Sequence, residues 1–243
     1  MVPRRPDGQP GRLPLRGTER TGAPGPRRPH VQVSGSLTVA VVLVGPPGAG
    51  KTTAAAAVGR ALGRAVMHCD EVRAETYRSY GYTRSRADRM FQEGGAGGLH
   101  RYEARFEARA LARDVTRHAG SVLDTGGGVL HQYTEVDTLR VHRALATAEF
   151  TVLVLPFPGD PQRCADCLTD RVRARGADDP FTDEWLESGG TDLISTLVRA
   201  AHALLPQADL VLDTAHPVPA RINTGPAPGL SLADRITTAV GGS

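Results

Sequence analysis

The octapeptide Gly45-Pro46-Pro47-Gly48-Ala49-Gly50-Lys51-Thr52 is the narrowest structural instruction in this sequence. It follows an apolar run, Leu37–Val44, and opens into the Ala-rich stretch Thr53–Leu62, so a complete G-x-x-x-x-G-K-T lies between a strand and a helix. Glycines let the loop's backbone N–H groups turn inward, and the helix N-terminus adds partial positive charge. Such a loop favours a phosphate before any side chain acts. Lys51 is then placed to bridge the β- and γ-phosphates of ATP, and Thr52 Oγ1 to ligate Mg²⁺. The expected nucleotide-binding residues are Gly45, Gly48, Ala49, Gly50, Lys51, Thr52 and Thr53, with Lys51 also catalytic. The chain has 28 Arg and one Lys, and that Lys is Lys51. A slender ammonium reaches between phosphate oxygens where a planar guanidinium would crowd them.

Around this loop, short Val- and Leu-rich runs alternate with longer stretches of helical spacing. The runs are Leu37–Val44, Arg64–Cys69, Ser121–Asp124, Phe150–Pro156 and Asp209–Asp213. They show no clean polar–apolar alternation, as strands buried on both faces should not. The helical stretches are Lys51–Gly63, the Asp70–Met90 region, His100–His118, Tyr133–Thr147, Pro161–Arg175 and Asp192–Leu205, with a closing helix expected over Ser231–Val240 after a Pro-rich loop, His216–Gly229. The pattern predicts an α/β fold with a parallel sheet and helices on both faces, in one domain over residues 37–243.

Residues 1–36 hold seven Pro and seven Arg and cannot form an apolar face, so they read as a disordered tail. That tail carries the basic excess: the chain's net charge of +3 leaves the remainder at about −2. No aromatic residues are interleaved with the tail arginines, which argues against a nucleic-acid surface. No run is long and apolar enough for a membrane span or a secretory signal. Three cysteines suit a reducing compartment. A cytoplasmic protein, a monomer or weak dimer without nucleic-acid or membrane partners, is the expectation. Cys164 and Cys167 have C-x-x-C spacing but no second pair to complete a zinc site, and they read as spectator thiols.

In an open parallel sheet, ligands sit beyond the carboxyl ends of the strands. Asp70 ends the second run, where a carboxylate can accept the proton of an attacking hydroxyl; an N-cap for the following helix needs Asp equally well. Asp124 ends the third, where it can hold Mg²⁺ through water or make a strand-end hydrogen bond. Gly126-Gly127-Gly128 follow at once, and three glycines are entropically costly unless the backbone turns sharply or approaches a ligand closely. Arg175 stands next to Gly176, from where it can swing onto the transferring phosphoryl group.

With its P-loop, its acidic second-strand end, the segment Leu99-His100-Arg101-Tyr102-Glu103 and the strand end Thr125-Gly126-Gly127-Gly128, the chain resembles the shikimate kinase family over about Leu37 to Thr214. The resemblance implies a three-layer P-loop fold with a five-stranded sheet of order 2-3-1-4-5 and a lid around residues 171–190. It also implies transfer of the ATP γ-phosphate to a hydroxyl of a small polar metabolite. Arg171 resembles the family's adenine-stacking arginine. Asp70, Arg101, Gly126, Gly127, Gly128 and Arg199 are the substrate-side candidates, the two arginines as partners of an anionic substrate or as solvated helix charges. Two positions depart from the pattern: His68 takes the place of the first acidic residue of the family's D-x-D pair, and His100 that of its substrate-binding arginine. Gluconate-type, adenylylsulfate-type, antibiotic-modifying and toxin-type kinases share the nucleotide site, and a regulatory P-loop ATPase is the reading from a different class.

Overall fold

A computed structural model describes residues 40–177 and 179–215 of the 243-residue chain. The tail over residues 1–36, the loop His216–Gly229 and the closing helix Ser231–Val240 lie outside the described residues. The strands are β1 (Val41–Val44), β2 (Val66–His68), β3 (Val122–Asp124), β4 (Phe150–Leu155) and β5 (Leu210–Asp213). All neighbouring strands pair in parallel, in the order β2-β3-β1-β4-β5. This is the expected P-loop topology. Every residue of β1 is fully buried. Since successive strand side chains point to opposite faces, both faces of the sheet are covered.

The helices are α1 (Lys51–Leu62), α2 (Cys69–Ser79), α3 (Arg84–Arg117), α4 (Glu135–Thr147), α5 (Pro161–Arg175), α6 (Pro180–Trp185) and α7 (Thr191–Leu204). Local chemistry fixes several starts. Thr134 Oγ1 accepts from Asp137 N to cap α4, and Asp160 Oδ1 accepts from Arg163 N to cap α5, whose first position is Pro161. α1 lies close against the edge of the sheet, because a Cβ at Gly59 would meet Val66 Cγ2 at 2.5 Å. Among the described residues no helix is long and apolar enough to cross a membrane.

Two regions differ from the sequence reading. The stretch Asp70–Met90 is broken: α2 stops at Ser79, a turn follows, and α3 starts at Arg84 and continues to Arg117. The turn is held by aromatic packing, Tyr82 stacking on Tyr102 and meeting Tyr77 and Phe106 edge-on. α3 is in turn kinked at Gly95 (φ 57°, ψ −151°), where the Ser188 carbonyl packs against the backbone. That carbonyl belongs to a single π turn, Leu186–Gly190, which joins α6 to α7. Residues 180–190 of the expected lid region are therefore helical, with Phe181 against Phe91 (ring centroids 5.3 Å apart) and Trp185 packed with Ala96, Leu193 and Leu197.

Candidate active site

The P-loop leaves β1 at Val44 and enters α1 at Lys51. Its first glycine is structurally obligatory: at φ 155°, a Cβ on Gly45 would lie 2.3 Å from the Val154 carbonyl oxygen of β4. The loop curls around the Lys51 side chain, which is only 8 % exposed and donates Nζ–H to the Pro46 carbonyl at 3.1 Å. Burial lowers the Lys51 pKa, an effect opposed by Asp124 and Asp70 and reinforced by Arg175. A buried ammonium with one backbone partner is a site for an anion.

Strand register places the next group. β3 lies between β2 and β1, so Asp124 pairs with His68 on one side and with Leu43 on the other. Its buried Oδ2 accepts from Thr52 Oγ1 at 2.8 Å and from His68 Nδ1–H at 2.9 Å. Thr52, Asp124 and His68 thus form one hydrogen-bonded row across the mouth of the P-loop.

After Asp124 the chain passes directly beneath the loop, and here the glycines are required by close approach. A Cβ on Gly127 would lie 2.7 Å from three atoms of Pro47, and one on Gly128 would lie 2.6 Å from His100 Nε2 and 2.8 Å from Glu107 Oε2. A Cβ on Gly126 would meet Asp70 Oδ1 at 3.3 Å and Glu107 Oε1 at 3.4 Å. The triple glycine is the point where the P-loop, α2 and α3 converge.

These elements enclose a cavity of about 800 Å³. Its P-loop end holds Gly48, Gly50, Lys51, Thr52, Thr53 and Asp124, with Arg171 and Arg175 from α5. Its other end holds Asp70 and Arg73 of α2, and Leu99, His100, Glu103 and Glu107 of α3, roofed by Phe181 and Trp185. Asp70 sits in the first turn of α2 with its side chain 66 % exposed, 4.0 Å from Arg73. The N-cap position belongs to His68, which makes no capping hydrogen bond, so the carboxylate of Asp70 is not the cap of this helix. Arg171 donates to the Gly48 carbonyl (3.4 Å) and to Thr214 Oγ1 (3.3 Å), while Thr214 Oγ1 donates to the Ala49 carbonyl (2.8 Å). The arginine thereby ties the outer edge of the loop to the end of β5.

His100 is fixed as a neutral ring. A carbonyl only accepts, so Nε2 carries the hydrogen donated to Gly128 O at 3.1 Å, and Nδ1 accepts from the Tyr133 hydroxyl at 3.0 Å. Burial lowers its pKa to about 4, against a partial raise from the Gly128 bond. A depressed histidine pKa contributes stability that is present above the unfolded value of 6.5 and is lost as pH falls through about 4. The expected outcome is that urea denaturation of His100→Gln, followed across that window, shows a slope shallower than wild type by a total on the order of 3 kcal/mol. Parallel curves for the two proteins would contradict this.

The comparisons with known proteins fall on the same elements. Residues 47–155 match the shikimate kinase family. The shikimate kinase-like segment, slightly under half of the chain, runs from the P-loop prolines through α3 and the glycine turn to the end of β4. No curated protein matches the chain. Among solved structures, it is similar to a shikimate kinase from Acinetobacter baumannii in complex with shikimate (20 % identity over 82 % of this chain and 89 % of that one, TM-score 0.42). It is also similar to shikimate kinases from Bacteroides thetaiotaomicron (22 % identity, 84 % and 94 %, TM-score 0.45) and Aquifex aeolicus (20 % identity, 73 % and 88 %, TM-score 0.44).

Within the shikimate kinase-like segment the structure separates the expected residues. Lys51, Thr52, Asp70, Asp124, Gly127 and Gly128 line one cavity, joined from outside the segment by Arg171 and Arg175. Arg101 does not line it: it is exposed, with its guanidinium 4.4 Å above the Tyr133 ring. Arg199 is exposed on α7 and donates to Thr196 Oγ1 at 2.8 Å. The α-helical turn that carries Arg101 outward points its neighbour His100 inward. Glu107 was not expected: in the sequence it is one of several acids alternating with arginines, as on a solvated helix. The signal was present in the spacing of Ala96, Leu99, His100, Glu103 and Glu107, which form a single face at helical intervals. Cys164 is buried and its pKa is pushed up to about 12 by that burial, so its thiol stays protonated and inert.

Proposed function

We propose that this chain is an ATP-dependent small-molecule kinase that transfers the γ-phosphate to a hydroxyl of a small polar metabolite. One observation carries the reading: a single cavity is lined both by the P-loop with Lys51 and Thr52 and by the carboxylate of Asp70 on α2. The match of residues 47–155 to the shikimate kinase family supports it.

The residues present fit Mg²⁺. Thr52 Oγ1 and Asp124 Oδ2, hard oxygen donors 2.8 Å apart, leave the remaining positions to water and phosphate, as this ion requires. Among the described residues no group of three or more His, Cys, Asp and Glu forms an all-protein metal cage, so the cation depends on the nucleotide as well. When bound, Mg²⁺ supplies charge neutralisation at the phosphate oxygens.

Lys51 exchanges its Pro46 carbonyl for phosphate oxygens, and Arg175, which shares the field at Lys51, spreads charge on the transferring group. Asp70 takes the proton of the attacking hydroxyl. A new O–P bond forms as the bond from the γ-phosphorus to the β,γ-bridging oxygen breaks, and ADP leaves with that electron pair.

Titration calorimetry with ATP in the presence and absence of Mg²⁺, followed by ADP-release assays over hydroxylated metabolites, tests the proposal. The expected result is metal-dependent binding and acceptor-dependent ADP release. Absence of heat together with a melting temperature unmoved by any nucleoside triphosphate would sink it.

A further inference from the structure

The acceptor end of the cavity carries a charge pattern opposite to that of its phosphate end. Glu107 is only 6 % exposed, lines the cavity, and has no hydrogen-bond partner for Oε2. Glu103, one turn earlier on α3, and Asp70, on α2, line the same chamber. One guanidinium stands among them: Arg73, 4.0 Å from Asp70 and interacting with Glu103 and Glu107 as well. His100 is neutral, and Arg101 and Arg199 do not line the cavity. A substrate carboxylate entering here meets the acids Asp70, Glu103 and Glu107 around a single guanidinium, Arg73, which those acids already share. An ammonium is favoured by the same acids, and the buried Glu107 carboxyl, whose Oε2 has no hydrogen-bond partner, can give up its proton to receive it.

Resting on the kinase reading above, we infer that the phosphate acceptor is a hydroxylated amine, whose protonated amino group docks against Glu107 with Glu103 and Asp70 beside it. The hydroxyl of the same molecule is the group phosphorylated, by the bond changes already given. Burial, with help from Glu103 and Asp70 and against Arg73 and Lys51, pushes the Glu107 pKa up to about 8. The carboxyl therefore holds a proton at neutral pH and releases it when the ammonium binds, so affinity for the amine rises as pH climbs toward that value.

The test uses the full chain with Mg·ATP and matched trios of acceptors that share a skeleton and differ in one group. Glucosamine, glucose and glucuronate form one trio; an aminocyclitol, its parent cyclitol and the corresponding acid form another; a ring-hydroxylated benzylamine, benzyl alcohol and benzoate form a third. The amine member should exceed its neutral partner in kcat/KM by about tenfold or more, and the acid by a wider margin. Glu107→Gln should erase most of that preference while the calorimetric affinity for Mg·ATP is unchanged. Glu103→Gln, at a less buried position, should weaken the preference and covers the case in which the Glu107 variant does not fold. The inference is overturned if a neutral or acidic member is the better acceptor in any trio that is used. Retention of the amine preference by both folded variants overturns it, as does a lack of turnover in every trio while Mg·ATP still binds. Loss of Mg·ATP binding in the wild-type chain would fail the kinase reading instead.

Discussion

Lys51→Ala is expected to lower kcat/KM for phosphoryl transfer by on the order of 10³ or more, with Mg·ATP affinity falling in parallel. The side chain is the ammonium inside the P-loop, and its hydrogen bond to the Pro46 carbonyl is the contact that a phosphate would replace. Stability should move in a different direction from activity. Burial already disfavours the charged form of Lys51, so its removal relieves a desolvation penalty while losing one hydrogen bond. The melting temperature of the unliganded variant should remain close to that of wild type, while the upward shift produced by Mg·ATP disappears. Lys51→Arg should not restore activity, because a planar guanidinium crowds the phosphate oxygens that a slender ammonium reaches between. Single-turnover assays with differential scanning fluorimetry on the three proteins would check this; near-normal turnover by either variant would remove Lys51 from the chemistry.

Asp70→Asn should leave Mg·ATP affinity unchanged and reduce kcat by roughly 10²–10⁴, the range for loss of a general base. The change is isosteric and falls on a largely exposed side chain that caps no helix, so the fold has little to lose. What disappears is the carboxylate beside Gly126 that can hold the proton of the acceptor hydroxyl. A variant that transfers phosphate at the wild-type rate would assign the base elsewhere in the chamber, with Glu107 the next group to test. The two substitutions also separate the halves of the cavity: Lys51→Ala strikes binding and chemistry together, Asp70→Asn chemistry alone.

Much of the nucleotide half was legible in the primary structure because its determinants are local. A G-x-x-x-x-G-K-T between an apolar run and an Ala-rich helix dictates its own backbone, and each of the five apolar runs contains one strand of the described sheet. Asp124 was identifiable as a strand-end carboxylate, because a parallel sheet collects such ends on one edge, whereas Asp70, read as the end of the second run, lies two residues beyond β2 in the first turn of α2. The triple glycine was readable as a place of close approach, although the groups approaching it were not. They come from Pro47, Asp70, His100 and Glu107, positions scattered over 60 residues of chain.

The acceptor half depended on packing. Arg101 and His100 are adjacent, and in a helix one residue is about 100° of rotation, so which of them enters the cavity follows from how α3 is set against α4 and the π turn. That setting rests on the kink at Gly95 and the aromatic turn around Tyr82, both made by contacts distant in sequence. Glu107 illustrates the same limit: alternating acids and arginines look alike on a solvated helix and on one whose inner face lines a chamber. Residue order decided the P-loop, because main-chain geometry there is dictated within eight positions. The packing of α2, α3 and the segment from α6 to α7 decided which charges line the cavity beside it, because helical rotation and burial arise only when the elements are brought together.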